Sequence, residues 1–234
     1  MRDDPYPPYG PNEQPPYAYP PYGNSTTHAP TRPFYPLPRS LSELTGPLFS
    51  DADVEPGEND LSCGSDGTPA MGQLLILRGR ILDEEGRPVP KTLVEVWQAN
   101  AAGKYQHPVD QRDAPIDPHF PGAGRCVTDD DGGYEFRTIK PGAYPVPNTG
   151  NWWRPPHIHF SLFGPSFMSR MVTQMYFPGD PLNEVDHILG AIPDVAARHR
   201  LVAEFAPTLG VPEHSLGYRF DLVLRGRQQT PMVD

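Results

Sequence analysis

The sequence predicts a mainly β protein, a β-sandwich with a Pro/Tyr-rich N-terminal arm and one or two short helices. Three observations predict it. About seven short apolar, β-branched segments recur along the chain, Gly- and Pro-containing turns separate them, and one stretch alone has convincing helical periodicity. At 234 residues the chain is long enough to bury a core in a single domain.

Eleven of the 33 prolines fall within the first 36 positions, interleaved with Tyr6, Tyr9, Tyr17, Tyr19, Tyr22 and Tyr35. Such a segment favours polyproline II or disorder and builds no core of its own, so residues 1–39 are expected to form an extended arm and 40–234 the sandwich domain. Ser40 to Phe49 has room for a short helical turn, and Asp51 to Met71 reads as a polar loop. Leu74 to Leu82 and Thr92 to Gln98 read as the first two strands, with a turn at 83–88 between them. Arg125 to Thr128 and Tyr134 to Ile139 flank Asp129-Asp130-Asp131-Gly132-Gly133, a strong hairpin signal that explains the acidic run better than a calcium loop does. His157 to Phe163, Met171 to Phe177 and Tyr218 to Arg225 complete the strands. The helix is expected from Asp194, a good N-cap, to Phe205, burying Val195, Leu201, Val202 and Phe205.

A formal charge of −10 argues against nucleic acid and anionic membranes as partners. No apolar run reaches bilayer length, and the N-terminus lacks a signal-peptide core. Cys63 and Cys126 form no metal or redox motif and read as free thiols, which predicts a cytoplasmic protein.

The chemistry concentrates in Trp153-Arg154-Pro155-Pro156-His157-Ile158-His159-Phe160. Alternate side chains of a strand share a face, so His157 and His159 point the same way, as a metal requires and as two ordinary packed histidines also allow. Two imidazoles are half a coordination sphere. No familiar zinc-ligand cluster, phosphate loop or nucleophile elbow accompanies them. Tyrosines lie upstream in Gly103-Lys104-Tyr105 and Gly142-Ala143-Tyr144, and a phenolate suits a hard Lewis-acidic ion such as Fe(III). Composition does not choose two tyrosines from eleven.

The runs LVEVWQANAAGKYQHP, GRCVTDDDGGYEFRTIKPGAYPVP, NWWRPPHIHF and YRFDLVLRG resemble the intradiol ring-cleavage dioxygenases, over most of the chain from about Ser40 to Gly226 and more weakly from Tyr22. The resemblance implies a sandwich holding one non-haem Fe(III) per chain through Tyr105, Tyr144, His157 and His159, with O2 as co-substrate. It further implies that Tyr144 leaves the iron when a catecholic substrate arrives and accepts one of its protons. Arg154 is implied to stabilise negative charge on the activated ring, and Gln174 to support Arg154 and line the cavity. Trp97 is implied to form a wall and Tyr22 to contact substrate at the mouth. The nearest branch implies cleavage of protocatechuate to 3-carboxy-cis,cis-muconate in aromatic catabolism, by a hetero-oligomer in which an α-type partner subunit completes the pocket. Val146 stands where close relatives carry tryptophan, and Gln106 where they carry a basic residue, which bears on substrate choice. Alternatives are cleavage of catechol or hydroxyquinol, a non-catalytic transthyretin-like binding module, and a zinc hydrolase. Two phenolates disfavour the last.

Overall fold

The computed structural model describes residues 13–16, 18–22, 54–164 and 171–233, so the helical turn expected within 40–49 and most of the arm lie outside the described residues. Leu74–Leu82 (β1) alternates buried Leu75, Leu77 and Ile81 with exposed Arg78 and Arg80, the pattern of a strand with one face on a core. Gly133–Ile139 (β4) pairs antiparallel with it from Leu74↔Ile139 to Arg80↔Gly133. On its other edge β1 takes Leu216–Arg219 (β10) and then Leu222–Val223 (β11), both parallel, with Glu204–Phe205 (β9) beyond β10.

The second sheet is antiparallel and runs Ala123–Val127 (β3), Leu93–Trp97 (β2), His157–Phe163 (β7), Met171–Tyr176 (β8). Val94, Val96, Ile158, Phe160, Leu162, Met171 and Met175 face the first sheet across the core, where Leu75, Leu77, Phe136 and Phe220 meet them. Burial of this size is the main term holding the sheets together, at about 25 cal/mol per Å² of apolar surface. A two-stranded ribbon, Tyr144–Pro145 (β5) and Trp153–Arg154 (β6), lies outside both sheets.

The strands appear where the sequence predicts them, with two corrections. The turn at Asp129–Gly133 closes, with Gly132 N donating to the Asp129 carbonyl at 3.0 Å, but β3 and β4 do not pair. Turn chemistry reverses the chain locally; it does not decide which sheet the next strand joins. The seven-residue ladder that β4 makes with β1 takes it across the sandwich. The last strand breaks into β10 and β11 because Phe220 N donates to Arg78 O and the Asp221 carboxylate accepts from Arg80 N, so a side chain replaces one ladder acceptor. At that crowded point β1 carries Gly79, whose missing Cβ would lie 1.8 Å from the Phe220 oxygen.

The expected helix from Asp194 is shorter. Val195–His199 (α2) is capped by the Asp194 carboxylate, but it ends there because Leu201 and Ala203 exchange backbone hydrogen bonds with Tyr176 of β8. Val195 and Phe205, expected buried, are 57% and 49% exposed. A shorter helix precedes it, His187–Gly190 (α1), capped by Asp186. These helices close a second cluster of Trp152, Tyr176, Ile188, Leu189, Ile192, Ala197, Leu201 and Val233 over the outer face of the second sheet.

Candidate metal centre

That outer face is where the sheet register assembles the site. His157, His159 and Ser161 alternate with the core residues of β7, so both imidazoles project away from the sandwich interior. Across the ladder, His159 stands between Trp97 of β2 and Gln174 of β8, and His157 beside Tyr176. Trp97 stacks on the His159 ring at 4.7 Å and 8°.

Two loops bring the tyrosines over these histidines. In the first, the Asn100 side chain accepts from Ala102 N and Lys104 N, curling residues 100–104 into a tight turn. Gly103 sits at φ 74°, and a Cβ there would lie 2.3 Å from the Ala143 oxygen, so the turn seats directly on the segment leading to Tyr144. Gly103→Ala is therefore expected to cost about 3 kcal/mol, read as a lowered denaturant midpoint, and to loosen both tyrosines together. Beyond the turn the Asp110 carboxylate accepts from Tyr105 N and from the Arg112 side chain. Despite the cost of burial, these hydrogen bonds hold its pKa at about 2, so what Asp110 adds to stability is present above its ordinary range and lost as pH falls through that value. The Arg112 guanidinium lies 4.2 Å over the Tyr144 ring. Tyr144 itself is fixed by the ribbon, paired with Arg154 across it.

Four potential ligand atoms converge. Tyr105 Oη lies 3.3 Å from His157 Nε2 and 3.1 Å from His159 Nε2, and Tyr144 Oη lies 3.4 Å from His157 Nε2. Donor atoms each about 2 Å from one ion stand about this far from their neighbours. His157 Nδ1 is 2.7 Å from the Pro155 carbonyl, so Nδ1–H donates outward and the Nε2 lone pair is left on the centre. Burial, then the charge of Arg154, pushes His157 well below the ordinary histidine range and His159 down to about 3. Both imidazoles are accordingly neutral donors. Burial, then Tyr144, raises Tyr105 well above the ordinary phenol, so only a cation at the centre would hold it as phenolate. Two phenols and two neutral imidazoles suit Fe(III), and the residues present fit that group. Among the described residues the cluster of metal-binding type formed by carboxylates alone, Asp83, Glu84 and Glu85, is engaged by Arg87 and Arg225 in a surface turn.

Behind the histidines, Arg154 is buried, with Nε 2.8 Å from Asp186 Oδ2 and Nη2 2.6 Å from Gln174 Oε1 and 3.0 Å from Tyr176 Oη. Burial alone would lower the guanidinium pKa; Tyr176, Asp186 and Tyr144 together raise it, so the charge is permanent. A cavity of about 1060 Å³ opens in front, lined by Trp97, Tyr105, Gln106, Tyr144, Val146 and His159. Gln174, expected on its wall, lies fully buried behind it with Arg154. Tyr22 packs edge-on against Trp152 at 5.7 Å, beside the cavity wall rather than in it. Asp186, Tyr176, Asp110 and Arg112 escaped the sequence reading. Asp186 precedes an Ile-Leu pair as an N-cap does, but nothing local links it to Arg154.

A model of the dioxygenase family, described as Dioxygenase, matches residues 44–226. The protocatechuate 3,4-dioxygenase beta chain of Burkholderia cepacia is 54% identical over 220 residues, 93% of each chain. The protocatechuate 3,4-dioxygenase alpha chain of Pseudomonas putida is 30% identical, over 85% of this chain and 97% of that one. Catechol 1,2-dioxygenase 2 of Acinetobacter lwoffii and hydroxyquinol 1,2-dioxygenase of a Rhizobium strain are longer proteins, and the matches cover 51% and 56% of them. Among solved structures, the dioxygenase domain of a carbohydrate-binding fusion protein from Streptomyces sp. SirexAA-E superposes with a TM-score of 0.52 at 28% identity, covering 71% of this chain and 86% of that one. With a family model spanning most of the chain and a relative at 54% identity over nearly all of it, the chain belongs to the intradiol ring-cleavage dioxygenases.

Proposed function

We propose that this chain is the iron-bearing β-type subunit of an enzyme that cleaves protocatechuate between its two hydroxylated carbons. Both atoms of O2 enter the product, 3-carboxy-cis,cis-muconate. The observation that carries the reading is the convergence of Tyr105, Tyr144, His157 and His159 within 3.1–3.4 Å on the outer face of one sheet. These four would hold one Fe(III). When bound, the ion supplies a chelation point for both catechol oxygens and withdraws electron density from the ring so that O2 can add.

The remaining chemistry belongs to the chain. A catechol must shed two protons to chelate, and the Tyr144 phenolate, on a two-stranded ribbon at the cavity wall, can take one at its Oη. Arg154 places a permanent positive charge beside the ring, where negative charge grows during the reaction. Gln174 and Tyr176 fix its Nη2. Trp97 holds the His159 ring in plane and forms one wall. Val109, 80% exposed at the cavity rim, fits an open mouth that an α-type partner subunit completes, as do relatives named as beta and alpha chains. The free thiols Cys63 and Cys126 suit a reducing cytoplasm. Residues 1–39 would serve as an arm to the domain at 40–234, with Tyr22 reaching substrate only if the Trp152 contact opens.

A second reading, catechol or hydroxyquinol as substrate, rests on Val146, a small side chain on the cavity wall. Expression with an α-type partner tests both. The expected protein carries one iron per β chain, shows a visible phenolate-to-Fe(III) band and consumes O2 faster with protocatechuate than with catechol. The opposite substrate ranking assigns the second reading. A colourless, iron-free product that is inert toward dihydroxybenzenes overturns both and leaves a binding module.

A further inference from the structure

We infer that Asp186 is the positioning residue that aims the Arg154 guanidinium at the reacting ring. The inference rests on the ring-cleavage reading and adds to it a residue that no motif singles out.

Both oxygens of Asp186 are committed. Oδ2 accepts from Arg154 Nε at 2.8 Å, and Oδ1 accepts from Ile188 N at 2.7 Å and Leu189 N at 2.9 Å as the cap of α1. A carboxylate held at three points cannot rotate, and its side chain is 0% exposed. It therefore transmits the position of α1 to the guanidinium. On the arginine, Nε and Nη2 form one edge of the fork, and that edge is saturated by Asp186, Gln174 and Tyr176. Among the described residues no hydrogen bond involves Nη1. Nη1 is left as the part of the guanidinium without a partner among them, and on this inference it is what meets the charge growing on the ring. Gln174 and Tyr176 are neutral, so Asp186 is the formally charged partner among the three. A guanidinium 4% exposed cannot stay buried in one orientation without such a partner. Because the contact is to Nε rather than to Nη1, Asp186 fixes direction and leaves Nη1 unblocked.

Asp186→Asn keeps an oxygen for the α1 cap and removes the charge that holds Nε. In the iron-loaded protein with its partner subunit, the expected result is kcat on protocatechuate about tenfold lower with the anaerobic Kd for protocatechuate within about twofold, the pattern of a lost transition-state interaction. Iron content and the visible band should be unchanged. Asp186→Glu, which keeps the charge on a longer stem, should recover part of kcat. A crystal structure of Asp186→Asn reads the positioning independently of turnover, and the guanidinium should be rotated from its place here. An unmoved guanidinium overturns the inference whatever the activity. So does wild-type kcat, or a loss of kcat that merely follows lost iron. A wild-type protein without iron or colour is a different failure, that of the ring-cleavage reading.

Discussion

His159→Ala is expected to purify colourless, with iron at background and no measurable ring cleavage. As metal-free proteins, mutant and wild type should melt close together. The imidazole is one of four donors, and Nε2 stands 3.1 Å from Tyr105 Oη. Removing it leaves three donors and a gap that water fills. Altering even a residue that only supports a ligand costs about 10–100-fold in metal affinity, and removing the ligand costs more. The effect extends to Tyr105, whose buried phenol ionises only beside a cation, so the mutant loses a second donor along with the first. Stability without metal is little touched, because His159 projects from the outer face while Ile158 and Phe160 keep β7 in the core. Iron analysis, the visible spectrum and metal-free melting separate these effects. His119→Ala, in a half-exposed histidine with Asp66 beside it, is the control and should keep full iron. Full iron content and normal colour in His159→Ala would remove His159 from the ligand set.

The half of this centre that was legible in the sequence is the half carried by a regular element. Strand alternation alone puts His157 and His159 on one face, and the register then delivers Trp97 and Gln174 beside them. Tyr105 and Tyr144 lie on loops, where no period marks a residue as facing inward, and only the family resemblance separated them from nine other tyrosines. The Arg154–Asp186 pair spans 32 residues and depends on α1 folding over β7 and β8. That is a tertiary event with no local signature. The same division explains the fold. Apolar alternation located the strands, while the partners of β3 and β4, and the point at which α2 gives way to backbone bonds with Tyr176, were decided by contacts distant in sequence.

Arg154 carries the other large expectation. Arg154→Gln should lower kcat by about 10²–10³-fold while leaving iron and colour in place, since removing one preorganised electrostatic donor has about that effect. Arg154→Lys should recover little of it, because an ammonium supplies no fork to bond Asp186, Gln174 and Tyr176 at once. A stability loss accompanies the kinetic one: Asp186 is left as a buried anion without its cation, which costs roughly 3–5 kcal/mol. The double variant Arg154→Gln/Asp186→Asn separates the two. It removes both buried charges, so the denaturant midpoint should return most of the way to wild type while kcat stays low. If kcat recovered together with stability, the arginine would be a structural tie and not a source of charge for the reaction. If Arg154→Gln alone kept wild-type kcat, positive charge at this position would have no part in the chemistry, and the negative charge growing on the ring would have to be met by other groups on the cavity wall, with Arg112, 4.2 Å above the Tyr144 ring, the next to test.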